Sequence, residues 1–256
     1  MEGNPPSDSI YDRHHDVFLL WACRETGVIE ALHDGVGTVD GIVERTGITE
    51  RAASTVLDAL EASGIVSRED EAYVPTDALA GFDPETPALE RGILPHRIDT
   101  LEDYMALPER MRSAESATFS EEAFENFIGG MNAVDEASVR AIVTAAERAH
   151  PRPERVLDVG GGPGRFATEF ARRGADVTLF DRPMVVDRLG EGHRDAGLSV
   201  VEGDACETLP SGFDLVFSAR MTVSLTPAEI EDYFQNAFHS LDPGGTFVAA
   251  EWVRGY

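Results

Sequence analysis

Residues 155–183 read "RVLDVGGGPGRFATEFARRGADVTLFDRP" and decide the fold of this chain. The stretch joins a short apolar run, a cluster of glycines, a helical pattern, a second apolar run and an aspartate. This order predicts a βαβ unit of the kind that binds nucleotides. The same alternation continues downstream and predicts an α/β fold with a parallel sheet and right-handed crossovers. The predicted strands are 156–159, 177–180, 198–201, 213–217 and 246–250, and the predicted helices are 165–173, 183–190 and 227–241.

The spacing of the glycines separates two classes of ligand. The dinucleotide fingerprint G-x-G-x-x-G fits only if alanine is accepted at the third glycine, because counting from Gly162 places Ala167 there. The pattern D-x-G-x-G-x-G fits throughout, from Asp158 to Gly164. Its aspartate lies inside the end of a strand, where a carboxylate can meet a cation of the ligand. The pattern therefore favours a cationic ligand over a pyrophosphate.

This stretch resembles motif I of the class I S-adenosylmethionine (SAM)-dependent methyltransferases. "DVGGGPG" is especially similar to the O-methyltransferases of the caffeate and hydroxyindole type. The resemblance implies a Rossmann-like, mostly parallel sheet, SAM as cofactor and a small-molecule acceptor; we predict no metal site. SAM carries an ammonium and a carboxylate but no phosphate, which suits the aspartate and the glycines. The implied cofactor-binding residues are Asp158, Gly160, Gly161, Gly162, Gly164, Asp181 at the ribose hydroxyls, Asp204 and Ala205 at the adenine, and Met131.

The region before the glycines has the order of a winged helix. Three helical patterns, with a break near Gly27 and an N-cap at Thr49, precede two extended runs around the charged tip "REDE". The resemblance implies that this region dimerises. "FENFIGGMNAVDEASV" then resembles the family's helix beside the site; for Phe124 and Phe127 we favour core packing over ligand contact. We predict a winged-helix-like dimerisation domain (1–85), a helical connector that lines the site (86–150) and a SAM-binding Rossmann-like domain (151–256).

The charge balance bears on partners and habitat. The 256 residues include 47 acidic and 21 basic side chains, and all the basic ones are arginine. Residues 1–80 alone hold 16 acids and five arginines. Such a surface repels phosphates and anionic lipids, so we predict no nucleic acid or membrane partner. The resemblance implies a homodimer. A winged-helix transcriptional regulator is the alternative. The acidity indicates a halophile, and the two cysteines, with no secretory signal, indicate the cytoplasm.

The family's catalytic histidine has no counterpart here. In these O-methyltransferases a His-Asp-Trp segment follows the fourth strand, and its histidine deprotonates the acceptor. The corresponding segment "SARMTVSLTPAEIEDYF" places Val223 at that position. Glu251, just past the fifth strand, resembles a family acid and is our candidate catalytic base. His239 is expected at a helix end, and His193 in a polar loop away from the carboxyl ends of the strands.

Two departures from the family's pattern leave alternatives open: the histidine replaced by Val223, and a sheet of five strands instead of seven. An acceptor that is already ionised needs little help from a base, because proximity and orientation lower much of the barrier. A different reaction on the same fold, or a non-catalytic SAM-binding protein, stays an alternative. His14 and His15 could reach a site only through domain or subunit contacts. The class I sheet has seven strands and five are found here, so we expect a C-terminally incomplete chain.

Overall fold

The computed structural model describes residues 10–113 and 120–252, with side chains from residue 15 onward. The chain divides into two compact units, Met1–Ala133 and Val134–Tyr256. The three-part division predicted from the sequence stays a prediction about domains. Helix α7 (Glu136–Ala149) lies in the predicted connector. It packs in the second unit against helix α8 (Arg165–Arg172) and strand β7 (Leu241–Ala250).

The first unit consists of helices and one hairpin. Gly27, at a φ of 77°, separates the first two helices, and the Thr49 hydroxyl accepts a hydrogen bond from the Ala52 N–H at the start of the fourth (3.2 Å). Helices, then hairpin, then helices is the order that the sequence predicts. The elements are α1 (Ile10–Glu25), α2 (Val28–His33), α3 (Val39–Thr46), α4 (Glu50–Ala62), β1 (Val66–Glu69), β2 (Ala72–Pro75), α5 (Leu94–Arg110) and α6 (Glu121–Asn132).

The second unit is a five-stranded parallel sheet with helices between its strands. The strand order is β5-β4-β3-β6-β7, so the chain runs outward from β3 in both directions. Ligands of such sheets bind where the order reverses, at the carboxyl ends of the strands. The predicted α/β fold is thereby confirmed. After α7, the elements are β3 (Arg155–Val159), α8 (Arg165–Arg172), β4 (Asp176–Asp181), α9 (Pro183–Asp195), β5 (Ser199–Glu202), β6 (Phe213–Ala219), α10 (Pro227–Ser240) and β7 (Leu241–Ala250).

Apolar side chains cover both faces of this sheet. Phe170 and Phe217 pack edge to face on one side, with ring centroids 5.2 Å apart. Tyr233 of α10 packs against Phe247 on the other side. Both faces are buried because the strands are parallel and their crossover helices lie above and below them. The loops at the carboxyl ends of β3 and β4 are therefore held on a rigid support.

Helix α9 is longer than the sequence predicts. It continues past Gly190 and Gly192 to Asp195, although a glycine inside a helix costs roughly 1 kcal/mol. Leu189 and His193 are buried on its inner face, and this packing extends the helix. The placement of His193 in a polar loop was wrong. Among the described residues, no helix is both long and apolar enough to cross a membrane.

Candidate active site

The loop after β3 requires glycine for two physical reasons. Gly160, Gly162 and Gly164 have φ angles of 69°, 50° and 76°, in the left-handed region that other residues avoid. At Gly161 a Cβ would lie 2.6 Å from Cγ of Leu179, so the backbone packs directly on the neighbouring strand. The Gly160 N–H donates to the Phe180 carbonyl at 2.8 Å. These contacts hold the loop against the end of β4.

Asp158 is a buried carboxylic acid with an unused oxygen. The residue is 2% exposed, and its Oδ2 has no hydrogen-bond partner. Burial, and to a smaller extent the negative charge of Asp181, raise its pKa to about 7. An ionised carboxylate that is buried without a partner is unfavourable, and the group therefore stays protonated up to a higher pH than usual. A cation placed beside Oδ2 would remove that cost.

Asp181 lies at the end of β4 and is oriented by the glycine loop. Its Oδ2 accepts the Gly162 N–H, and its Oδ1 accepts the Arg182 N–H, both at 2.7 Å. Burial raises the pKa of this carboxyl, while the two backbone hydrogen bonds oppose the rise. Each oxygen keeps a free lone pair beyond its backbone contact. The side chain is thus rigidly placed to accept further hydrogen bonds from a ligand.

The third strand-end segment lies after β5. Asp204 is exposed and accepts the Cys206 N–H at 2.8 Å, while Ala205 is buried and its carbonyl accepts the side-chain amide of Asn236 (2.9 Å). Gly203 lies on the ring of Phe180, where a Cβ would come within 2.7 Å. This segment therefore forms a second wall at the same edge of the sheet as Asp181.

His193 is the residue at this site that sequence reasoning missed. Its Nε2 lies 2.9 Å from the Gly162 carbonyl oxygen, and burial lowers the pKa of the ring. Its spacing from Val186 and Leu189 continues the buried face of α9, and this is the signal that could have found it.

The segment that the sequence comparison aligned with the family's histidine forms a short turn after β6. Val223 lies in this 3₁₀ turn (Thr222–Ser224) and is 70% exposed. Glu251 Oε1 accepts the backbone N–H groups of Met221 (3.0 Å) and Thr222 (3.1 Å). Its Oε2 is buried without a partner. The candidate base of the sequence therefore anchors the turn through one oxygen.

The other residues singled out from the sequence lie in the first unit or at exposed positions of the second. Met131 is half-buried near the end of α6, in the first unit, and its role at the cofactor stays a prediction. Phe127 packs against His96 with ring centroids 5.4 Å apart. His239 and His15 are exposed, and the side chain of His14 lies outside the described residues.

The chemistry of the site residues fits SAM. The Oδ2 of Asp158 has no hydrogen-bond partner, and a cation such as the ammonium of SAM would stabilise the ionised carboxyl. Asp181 has two oxygens that can accept hydrogen bonds from ribose hydroxyls. Three carboxylates at one sheet edge, Asp158, Asp181 and Asp204, would repel a pyrophosphate. Within residues 10–113 and 120–252, no group of three or more His, Cys, Asp or Glu side chains is arranged to hold a metal ion.

Comparisons with known proteins agree with this chemistry. Residues 156–245 match the family described as "Methyltransferase domain". The chain is 26% identical to a 3-hydroxy-5-methyl-1-naphthoate 3-O-methyltransferase of Streptomyces sahachiroi, over 91% of this chain and 72% of that protein. It is 31% identical to a ubiquinone/menaquinone biosynthesis C-methyltransferase of Methylobacterium nodulans, over 44% of this chain and 47% of that protein.

Solved structures share the fold over nearly the whole chain. An O-methyltransferase family protein from Burkholderia thailandensis superposes with a TM-score of 0.67 at 18% identity, covering 97% of this chain and 80% of that one. Human N-acetylserotonin methyltransferase, solved in complex with SAM, gives a TM-score of 0.62 at 20% identity, covering 96% and 81%.

Proposed function

We propose that this SAM-dependent methyltransferase, whose residues 156–245 match a methyltransferase domain, transfers the methyl group to a hydroxyl of a small molecule. The observation that carries the cofactor part of the proposal is the buried carboxyl of Asp158 beside the glycine loop, whose Oδ2 has no hydrogen-bond partner. The relative from Streptomyces, which aligns over most of both chains, is named as an O-methyltransferase of a hydroxynaphthoate. An aromatic or enolic hydroxyl is therefore the acceptor class we favour.

The cofactor half of the proposal rests on three contacts. Asp158 pairs with the ammonium, directly or through a water, and Asp181 accepts the ribose hydroxyls. Asp204 and Ala205 border the adenine. Bound SAM would supply an electrophilic methyl group: an acceptor oxygen would bond to the methyl carbon as its bond to the sulfonium sulfur breaks, and S-adenosylhomocysteine would leave. The protein's own part is to fix the cofactor at the end of the sheet, because proximity and orientation can lower the activation barrier by roughly 7–11 kcal/mol.

The acceptor half works without a histidine at position 223. A valine cannot take a proton, so the acceptor has to be acidic enough to arrive ionised or to lose its proton to solvent. Glu251 is the base that the sequence names. One of its oxygens accepts the backbone N–H groups of Met221 and Thr222 and so holds the turn in place. We favour an anchoring role for Glu251.

A homodimer formed through the first unit is part of the proposal. Its support is that several large apolar side chains on α1, along α5 and just after α5 are exposed and could be covered by a second copy of the chain. They are Phe18, Tyr104, Met105, Leu107 and Met111. A DNA-binding role finds no support in the charge of residues 1–80, where acids outnumber arginines threefold. We also keep the cytoplasm of a halophile as the setting.

The test is methyl transfer in high salt. The protein is incubated with methyl-labelled SAM and a panel of naphthols, phenols and enols, and labelled products are separated by chromatography. We expect label in an acidic aromatic hydroxyl compound. Tight SAM binding with no labelled product from the panel or from a cell extract would instead favour the non-catalytic SAM-binding alternative.

A further inference from the structure

The structure assigns His193 as a positioning residue that fixes the cofactor loop through the carbonyl of Gly162. It acts from α9, outside the strand-end residues that the sequence identifies. The inference rests on the proposed cofactor site, because fixing the glycine loop affects function only if that loop binds SAM. It adds a residue that neither the glycine pattern nor the family comparison names.

Both polar groups of the Gly162 backbone are held by buried side chains. The N–H donates to Asp181 Oδ2 at 2.7 Å, and the carbonyl oxygen lies 2.9 Å from His193 Nε2. A carbonyl only accepts, so Nε2 carries the hydrogen and donates it. The two peptide units that flank Gly162 are thus fixed, one from β4 and the other from α9.

The ring of His193 also packs on the loop at a second position. A Cβ added to Gly164 would lie 2.9 Å from Cε1 and 3.1 Å from Nδ1 of His193. The imidazole therefore fills the space that a side chain at position 164 would take. His193 is 7% exposed, so the contact is made away from water, where an unmade hydrogen bond is expensive.

The protonation state agrees with this role. Burial lowers the pKa of His193, the nearby Arg194 lowers it further, and Asp181 and the Gly162 carbonyl oppose the shift. The ring is therefore neutral at pH 7, with the hydrogen on Nε2 and a bare Nδ1. A neutral ring donates to Gly162 without placing a positive charge beside the site for the SAM ammonium.

A loop fixed before binding loses less conformational freedom when the ligand arrives. Without the His193 contact the Gly162 peptide can rotate, and the cofactor has to order it. We therefore expect loss of the His193 contact to weaken SAM binding and so to raise KM for SAM, with little change in kcat. A single hydrogen bond to a neutral group corresponds to roughly a five- to tenfold weaker binding.

The experiment compares four versions of the full chain by calorimetry with SAM and by steady-state kinetics. They are the wild type, His193→Ala, His193→Gln and, as a matched control, the exposed His239→Ala. We expect His193→Ala to weaken SAM binding five- to tenfold and to raise KM for SAM equally, with kcat within twofold. His193→Gln, which keeps an N–H donor at similar reach, should recover most of the loss, and His239→Ala should match the wild type.

Two results would overturn the inference. One is SAM binding by His193→Ala within twofold of the wild type; the other is a glutamine variant as impaired as the alanine variant. Nitrogen-15 histidine spectra of the wild type give a test that needs no variant to fold. A hydrogen on Nε2 that exchanges slowly with solvent supports the contact, and a hydrogen on Nδ1 alone refutes it. A wild type that binds no SAM at all would overturn the proposed cofactor site instead.

Discussion

Asp158 and Asp181 end adjacent parallel strands, and the charge of Asp181 adds to burial in raising the pKa of Asp158 to about 7. Two carboxylates at one edge of the sheet disfavour each other's ionisation. A ligand with a positive charge removes this conflict, and a ligand with phosphates aggravates it. The pair therefore explains why this glycine loop suits SAM although it resembles a dinucleotide-binding loop.

SAM binding should depend on pH through Asp158. The folded pKa lies near 7, and only the ionised carboxyl pairs with the ammonium, so binding below pH 7 releases a proton. We expect the affinity for SAM to rise up to tenfold per pH unit below pH 7 and to level off above it. Asp158→Asn should bind more weakly at pH 8 and lose this dependence. Calorimetry between pH 5.5 and 8.5 measures both.

The raised pKa of Asp158 also predicts how the stability of the ligand-free protein changes with pH. A folded pKa raised above the unfolded value of 3.8 means that the folded state holds the proton longer. The free energy of unfolding of the ligand-free protein should therefore fall as the pH rises from about 4 to 7, by as much as roughly 4 kcal/mol from this group. In Asp158→Asn this contribution should be absent. If the free energy of unfolding fell with pH equally in the wild type and in Asp158→Asn, the account of Asp158 as a buried, uncompensated carboxyl would be refuted.

Asp181→Ala should weaken SAM binding by roughly 1.5–3 kcal/mol, which is about ten- to a hundredfold. The change removes the acceptors proposed for the ribose and also frees the Gly162 N–H. Asp187→Ala is the matched control, because Asp187 is an exposed acid on the neighbouring helix α9. Equal affinities in the two variants would show that Asp181 acts only through the overall charge.

Gly161→Ala should disrupt the cofactor loop. Its Cβ would lie 2.6 Å from Cγ of Leu179, which is fully buried and cannot move aside easily. We expect a large loss of SAM affinity and a lower melting temperature. Gly192→Ala is the control, since a Cβ at this helical position has no atom within 4 Å. It should be neutral or stabilising by up to about 1 kcal/mol.

Variants of Glu251 separate an anchor from a base. Glu251→Gln keeps a carbonyl oxygen that can accept the N–H groups of Met221 and Thr222 but cannot take a proton. An anchoring residue should therefore retain most of kcat as glutamine and lose it as alanine. A base should lose kcat in both variants. Turnover measured with one acidic acceptor, at saturating SAM, decides between the two roles.

The sequence predicts the cofactor half of the site well because its signals are local. The glycines, Asp158 and Asp181 lie within 24 residues, at the carboxyl ends of two strands or directly after one, and the apolar pattern of the sequence reveals both strands. The structure brings these residues together at one sheet edge; that they bind SAM stays a prediction. The predicted fold is confirmed for the same reason, since alternating strands and helices leave few topologies.

The contacts that the sequence missed are those between distant segments. His193 lies 31 residues from Gly162, and two glycines inside α9 hid the continuation of the helix. The Glu251 contacts to Met221 and Thr222 join residues 30 and 29 apart. A hydrogen bond of this kind depends on how two elements pack, and no local pattern records it.

The most direct test of the account is how the rate depends on the acidity of the acceptor. Wild-type protein is assayed with a series of phenols of graded pKa, each across pH 5–10, and with methyl-labelled SAM kept saturating at every pH so that the pH dependence of SAM binding through Asp158 does not affect the rate. With no histidine at position 223, we predict that each rate profile rises with the ionisation of its own acceptor, so that its midpoint moves with the acceptor's pKa. A limb fixed near pH 6.5, the usual histidine value, for every acceptor and abolished by replacing a histidine would contradict the account.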